Sequence, residues 1–183
     1  MTTSNGPDIL PENIASQRVR LRLRMGEHPG RDRLDGGWWP QSRNLVAELA
    51  DLVDHFPSRY GRVVRALYSP PDWEPAPRRV PVGRGHLKVG CFPRDDTHLM
   101  DLSMAQGSAW PKLRLLVVPP ALPPRQAEEA LLAAATPGND RSATSLLDTV
   151  TVAAEVAPVD QWVDDGESWW YPHPTSPSFR KGH

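Results

Sequence analysis

The sequence predicts an α+β fold: an antiparallel sheet of about five or six strands with two helices packed on one face, plus a largely irregular C-terminal tail. Three observations carry this. Apolar and charged residues alternate with a period of two in several short segments between residues 18 and 118, the spacing of half-buried strands. Two other segments repeat their apolar residues at helical spacing. Beyond Ala153, acidic, aromatic and proline residues displace both patterns.

Residues 1–16 are polar, contain Pro7 and Pro11, and read as a flexible arm. The α+β domain is expected over 17–137. It opens with Arg18–Arg24, where Val19, Leu21 and Leu23 alternate with Arg18, Arg20, Arg22 and Arg24. The apolar row of such a strand faces a core and the arginine row faces out. Asp35-Gly36-Gly37-Trp38-Trp39-Pro40 reads as the end of a loop, since glycine permits a tight turn and proline bars a continuing ladder. Ser42 is a candidate N-cap for a helix over about 43–56, with Leu45, Leu49, Leu52, Val53 and Phe56 on one face, and Glu48, Asp51 and Asp54 pointing elsewhere. Pro57 stops it.

Five strand candidates follow: Arg62–Tyr68, Arg78–Val82, His86–Phe92, Thr97–Ser103 and Lys112–Val118. Prolines flank the second, which places it at an edge. Gly83-Arg84-Gly85 and Gln106-Gly107-Ser108 are turn signals, and short connections imply antiparallel neighbours. Pro123-Pro124 opens a helix over about 124–136, with Ala127, Ala130, Leu131 and Ala134 as a narrow apolar stripe ended by Pro137-Gly138. Residues 138–183 read as an acidic, aromatic, proline-rich tail with a possible short helix near 141–152. Past Ala153 the acids Glu155, Asp160, Asp164, Asp165 and Glu167 meet no Lys or Arg until Arg180, and Trp162, Trp169, Trp170 and Tyr171 lie among them as contact candidates.

Composition narrows the setting. In 183 residues there are 21 prolines, more than twice the usual share of about 5%. A formal net charge of −1 supplies no global field toward nucleic acid or membrane. The single cysteine, Cys91, forms no internal disulfide framework, which fits a reducing cytosol. No secretory signal and no bilayer-length apolar run is visible, so a cytoplasmic protein with no membrane contact is expected. The strong preference for Arg over Lys, with abundant Ala, Pro and Gly, is the composition of a high-GC bacterial genome.

The Asp35–Pro40 block, then Ser42-Arg43 and the helix ending near Phe56, form a pattern. Together with the Arg18–Arg24 strand, Trp73-Glu74-Pro75-Ala76-Pro77-Arg78-Arg79 and Leu113–Pro120, it resembles an actinobacterial family, domain-of-unknown-function family 5994. The resemblance covers about residues 18–136, and its Gly-Trp-Trp-Pro element is the most specific piece. It implies a single domain in a bacterial cytosol and assigns no catalytic residue.

Candidate sites are few. Trp38 and Trp39 beside Asp35 and Arg43, with Trp73 nearby, could line a ligand cleft with an ion pair at hand, although packing is the commoner use of large aromatics. The row Arg18, Arg20, Arg22, Arg24 could join Arg62, Arg65, Arg78 and Arg79 on neighbouring strands as a basic platform, although arginines commonly solvate an open sheet face. His86, Cys91 and His98 are the one grouping of soft ligands. No metal site is expected from them, and Cys91 reads as a small buried hydrophobe. Asp95, Asp96 and Asp101 fall near turns, where exposed Asp is ordinary. No phosphate loop, nucleophile elbow or metalloprotease motif occurs, and no catalytic residue or cofactor is assigned. The expectation is a non-enzymatic cytosolic interaction or regulatory protein with a protein partner, using the arginine face and the acidic tail. The alternatives are a small-molecule-binding domain or enzyme with a Trp-lined cleft and, least favoured, a nucleic-acid-binding protein.

Overall fold

The alternating segments become strands in a computed structural model that describes residues 20–92, 96–109 and 111–156. The expected arm 1–16, Arg18, Asp95, and the tail candidates Trp162, Trp169, Trp170 and Tyr171 lie outside the described residues. Strands β1 (Leu23–Met25) and β2 (Gly36–Trp38) precede helix α1 (Leu45–Asp54). Then come β3 (Val63–Tyr68), β4 (Arg79–Val82), β5 (Gly85–Cys91), β6 (Leu99–Met104) and β7 (Lys112–Val117), and helices α2 (Pro124–Ala135) and α3 (Ala143–Val156). Single 3-10 turns occupy Ser58–Tyr60 and Pro70–Asp72.

The seven strands form one sheet in the order β1-β2-β7-β6-β3-β5-β4, with β4 at an edge as its flanking prolines predict. The sheet is mixed, which corrects the antiparallel expectation: β2 runs parallel to β7, and β3 parallel to β5. Both parallel pairs come from connections that sequence proximity hides. The β4–β5 hairpin folds back so that β5, not β4, lies against β3. Strand β2 reaches β7 across most of the domain, pairing Gly36 with Leu115 and Trp38 with Val117.

Strand β2 is itself a correction, because Gly36-Gly37 was expected to turn. Here the glycines admit close neighbours rather than unusual dihedrals. A Cβ on Gly36 would overlap the Arg24 carbonyl oxygen of β1, and one on Gly37 would lie 2.9 Å from Leu131 Cδ2 of α2. The strand expected over Arg18–Arg24 is shorter than its alternation suggests and begins at Leu23.

Helices cover both faces of the sheet rather than one. On β7, Leu113, Leu115 and Val117 enter the core under α1 with Leu45, Leu49, Leu52, Met100 and Leu102. Leu116 and Val118 enter the opposite core with Ala127, Ala130, Leu131 and Ala134 of α2 and Leu146, Leu147 and Val150 of α3. Each buried Leu, Val or Met side chain among these contributes roughly 1.5–3 kcal/mol, and each alanine less. The third helix is longer than the short one expected near 141–152. Asp96 caps it, its carboxylate accepting the N–H groups of Ala143 at 2.6 Å and Thr144 at 3.1 Å.

Helix α1 starts later than expected. Its N-cap is Asn44, whose side chain accepts the Ala47 N–H at 3.1 Å. Ser42 instead donates its hydroxyl to Glu48 Oε1 at 2.7 Å, and the Gln41 N–H reaches Glu48 Oε2 at 3.0 Å. Glu48 is consequently buried, not solvent-facing as its place in the sequence suggested. The carboxylate thus fixes the loop between β2 and α1, the segment that forms one wall of the site below.

Candidate functional site

Parallel strands β2 and β7 end side by side, and prolines stop both from continuing their ladder: Pro40 after β2, Pro119 and Pro120 after β7. Between these ends lies a cavity of about 280 Å³. The 3-10 turn at Pro70–Asp72 and Trp73 close its far side, and Ser42, Arg43 and His98 supply the remaining polar lining. An apolar cleft with a few convergent polar groups, at the carboxyl ends of parallel strands, is a usual place for a small ligand.

Trp73 is buried, and its indole stacks on Trp38 with ring centroids 5.4 Å apart and planes inclined by 24°. Trp38 thereby anchors the cleft wall from behind while Trp73 meets the cavity. The Trp73 indole N–H is buried without a hydrogen-bond partner among the described residues. Arg43 donates from Nε to the Asp72 carbonyl at 3.2 Å and from Nη2 to the Pro71 carbonyl at 2.7 Å, bracing the turn. The guanidinium has five donors, so three remain beyond these two.

Opposite the turn, His98 has a positive φ of 62°, the one non-glycine residue in that region among the described residues. Asp72 holds it there. The His98 backbone N–H donates to Asp72 Oδ2 at 2.7 Å, and Nδ1 lies 3.0 Å from Asp72 Oδ1. The second contact is a close approach without hydrogen-bond geometry, and Nδ1 has no other partner among the described residues. The Val117 N–H donates to the His98 carbonyl at 2.7 Å and completes the restraint. A side chain held at φ > 0 costs on the order of 1–3 kcal/mol and persists only where its surroundings over-determine it. With Nδ1 buried against a carboxylate, Nε2 is the ring atom left to donate or accept a hydrogen bond.

The other expected ligand residues are placed elsewhere. Asp35 is buried, and its carboxylate accepts the N–H groups of Gly30 and, at 2.6 Å, Arg114. It ties the start of β2 to β7 and forms no ion pair with Arg43. Trp39 follows Trp38 and so faces the opposite core. Of Asp35, Trp38, Trp39, Arg43 and Trp73, the cleft gathers Arg43 and Trp73. Sequence reasoning missed Asp72 and the part His98 plays. A 3-10 turn and a left-handed residue leave no periodic signal, and the prolines read only as strand stops.

The expected arginine row also divides. Arg20 and Arg24 are exposed, but Arg22 folds over the Trp39 ring with its Cζ 3.6 Å from the centroid. Arg22 donates to the Trp39 carbonyl at 3.1 Å and the Pro40 carbonyl at 2.7 Å. Burial lowers its pKa, and Glu48 and Glu128 oppose that shift. Strand β1 sits at one edge of the sheet and the strands carrying Arg65 and Arg79 toward the other, so no single platform joins them.

His86, Cys91 and His98 do not converge. Among the described residues no three His, Cys, Asp or Glu side chains are grouped to hold a metal ion. Cys91, the last residue of β5, is exposed, not buried. Asp101, expected at a turn, is buried within β6 beside Lys112. Among the described residues no helix is long and apolar enough to cross a membrane.

A family model described as "Family of unknown function (DUF5994)" matches residues 20–134. No curated protein and no solved structure matches the chain. The matched span runs from the approach to β1 to the last turn of α2 and includes every residue that lines the cleft. The chain belongs to this family of unknown function.

Proposed function

From within that family, we propose that the domain is a small-molecule-binding module whose site is the cleft between Pro40 and Pro120. The observation that carries this reading is the Asp72–His98 pair. A histidine held at positive φ by a buried carboxylate, on the rim of an apolar cavity, is a costly arrangement that packing alone does not call for. The lining favours a compact organic acid. Proline rings and the Trp73 indole suit a flat apolar body, and the remaining Arg43 donors suit a carboxylate or phosphate head. His98 Nε2 would fix orientation. Ser42, whose hydroxyl is engaged by Glu48, supports a binding role more than nucleophilic chemistry.

The setting we read for it is an actinobacterial cytosol, supported by the arginine-rich, lysine-poor composition and the single cysteine. The test is thermal shift of the full chain against aromatic and aliphatic carboxylates and phosphate esters, beside Arg43→Ala and His98→Asn. A ligand raises the melting temperature of the wild type by mass action, and both variants lose that rise. A panel without effect, or a shift that survives both substitutions, counts against the reading.

A further inference from the structure

Among the described residues, the face of the sheet that carries α2 and α3 is left bare beyond β6, and the strand register places a basic row there. Lys112 of β7 is paired with Ser103 of β6, Ser103 with Arg65 of β3, Arg65 with Lys88 of β5, and Lys88 with Arg79 of β4. Directly paired residues project on one face. On β7 and β6 that face is the one holding Leu116 and Leu99, which pack under α2 and α3. Lys112, Arg65, Lys88 and Arg79 are all exposed. The one acid in β3 to β7 is Asp101, and it is already paired with Lys112. Arg65, Lys88 and Arg79 have no ion-pair partner among the described residues. Beside them Leu67 and Gly90 pair on the same face, a flat apolar spot next to the Arg65 guanidinium. Three uncompensated like charges on the adjacent strands β3, β5 and β4 repel one another, and an anion lying over them relieves that repulsion.

We infer that residues 157–171 of this chain dock across that row. The segment has the complementary chemistry: Asp160, Asp164, Asp165 and Glu167 with no basic residue, and Trp162, Trp169, Trp170 and Tyr171 to lie on Leu67, Gly90 and the arginine. Its connection is favourable. Helix α3, which ends at Val156, packs on the same face of the sheet, so the segment departs from the side it would cover. Fifteen extended residues reach up to about 50 Å, and the row spans about 19 Å. Covalent attachment keeps the effective concentration near the millimolar range, enough for a set of weak ion pairs to hold. The docked segment shields the row from other polyanions.

The chain has three lysines, Lys88, Lys112 and Lys181, which makes amine acylation of the full-length protein a direct readout. Acylation rates are measured by peptide mass spectrometry at low salt for the wild type and for a variant carrying Asp160→Asn, Asp164→Asn, Asp165→Asn and Glu167→Gln. Lys181, outside the segment, is the internal reference. Lys88 is expected to react several-fold more slowly in the wild type, and the difference is expected to shrink as salt screens the contact. A second variant, Trp169→Ala with Trp170→Ala, is expected to lose part of the protection with the charges intact. Equal Lys88 rates in wild type and the charge variant overturn the inference. So does protection that grows with protein concentration, which assigns the row to a second copy, or protection that appears only on adding an oligonucleotide.

Discussion

His98 meets Asp72 at two atoms: its backbone N–H donates to Oδ2 at 2.7 Å, and its ring Nδ1 lies 3.0 Å from Oδ1. One carboxylate thereby fixes both the main chain and the imidazole of a residue in the left-handed region. The residues come from different elements, a 3-10 turn after β3 and the entry to β6, so the contact also closes the cleft.

That geometry separates backbone from ring. His98→Asn, which tolerates positive φ and keeps the N–H to Asp72, is expected to fold with nearly unchanged stability and to lose the ligand response. His98→Val is expected to cost about 1–2 kcal/mol, because a branched Cβ clashes with the carbonyl in the left-handed region. Urea unfolding of the two variants, side by side, checks the difference.

The two glycines of β2 predict a graded loss. Gly37→Ala places a methyl 2.9 Å from a Leu131 side-chain carbon and 3.3 Å from its Cα, so helix α2 must shift. Overpacking of this kind costs about 1–3 kcal/mol. Gly36→Ala meets main chain of β1 that has less room to move, and it is expected to be the more damaging of the pair. Denaturant midpoints of the two variants give the order.

Asp35→Ala leaves the Arg114 N–H of β7 without its partner. An unmade hydrogen bond at a buried site costs about 1–3 kcal/mol, while Asp35→Asn retains one accepting oxygen and loses less. Stability is expected to fall in both, with the cleft's ligand response retained at temperatures well below unfolding. Loss of that response with the fold intact would place Asp35 in the site.

Tyr68 sets an alkaline limit. Burial, and secondarily Cys91, raises its pKa above the usual value of 10.0. Above pH 10 the unfolded chain releases this proton while the folded chain keeps it, so the folded state binds more protons and stability falls as pH rises. Tyr68→Phe is expected to flatten that part of a stability–pH curve and to leave the neutral region unchanged. An unaltered alkaline slope would contradict it.

The sequence made the regular, half-buried parts of the fold legible. Strands β3 to β7 follow from short apolar segments between turn signals, with Leu113 and Leu115 alternating with Lys112 and Arg114 as the plainest case. Helix α2 follows from Ala127, Ala130, Leu131 and Ala134, all of which are buried. What stayed hidden depends on distant neighbours. Gly36-Gly37 looks like a turn until β1 and α2 are seen pressing on it. Helix α3 carries several β-branched Thr and Val residues, which are weak helix formers, and is secured by α2 and the Asp96 cap. Trp38 and Trp39 look like one aromatic cluster in the sequence, yet adjacent residues on a strand face opposite ways, so only Trp38 backs the cleft. Asp72 and His98 are 26 residues apart and meet through irregular chain, which no periodicity describes.

The most direct test of the cleft is a titration of the isotope-labelled full chain with an aromatic carboxylate series, followed by two-dimensional ¹H–¹⁵N spectra. The account predicts that at least one acid moves the Trp73 indole N–H and the backbone amides of His98 and Ala121 together, along one saturating curve. Absence of any response there across the series, or shifts that gather instead around Arg62, Arg84 and His86 in the separate cavity beyond the end of α1, would contradict it.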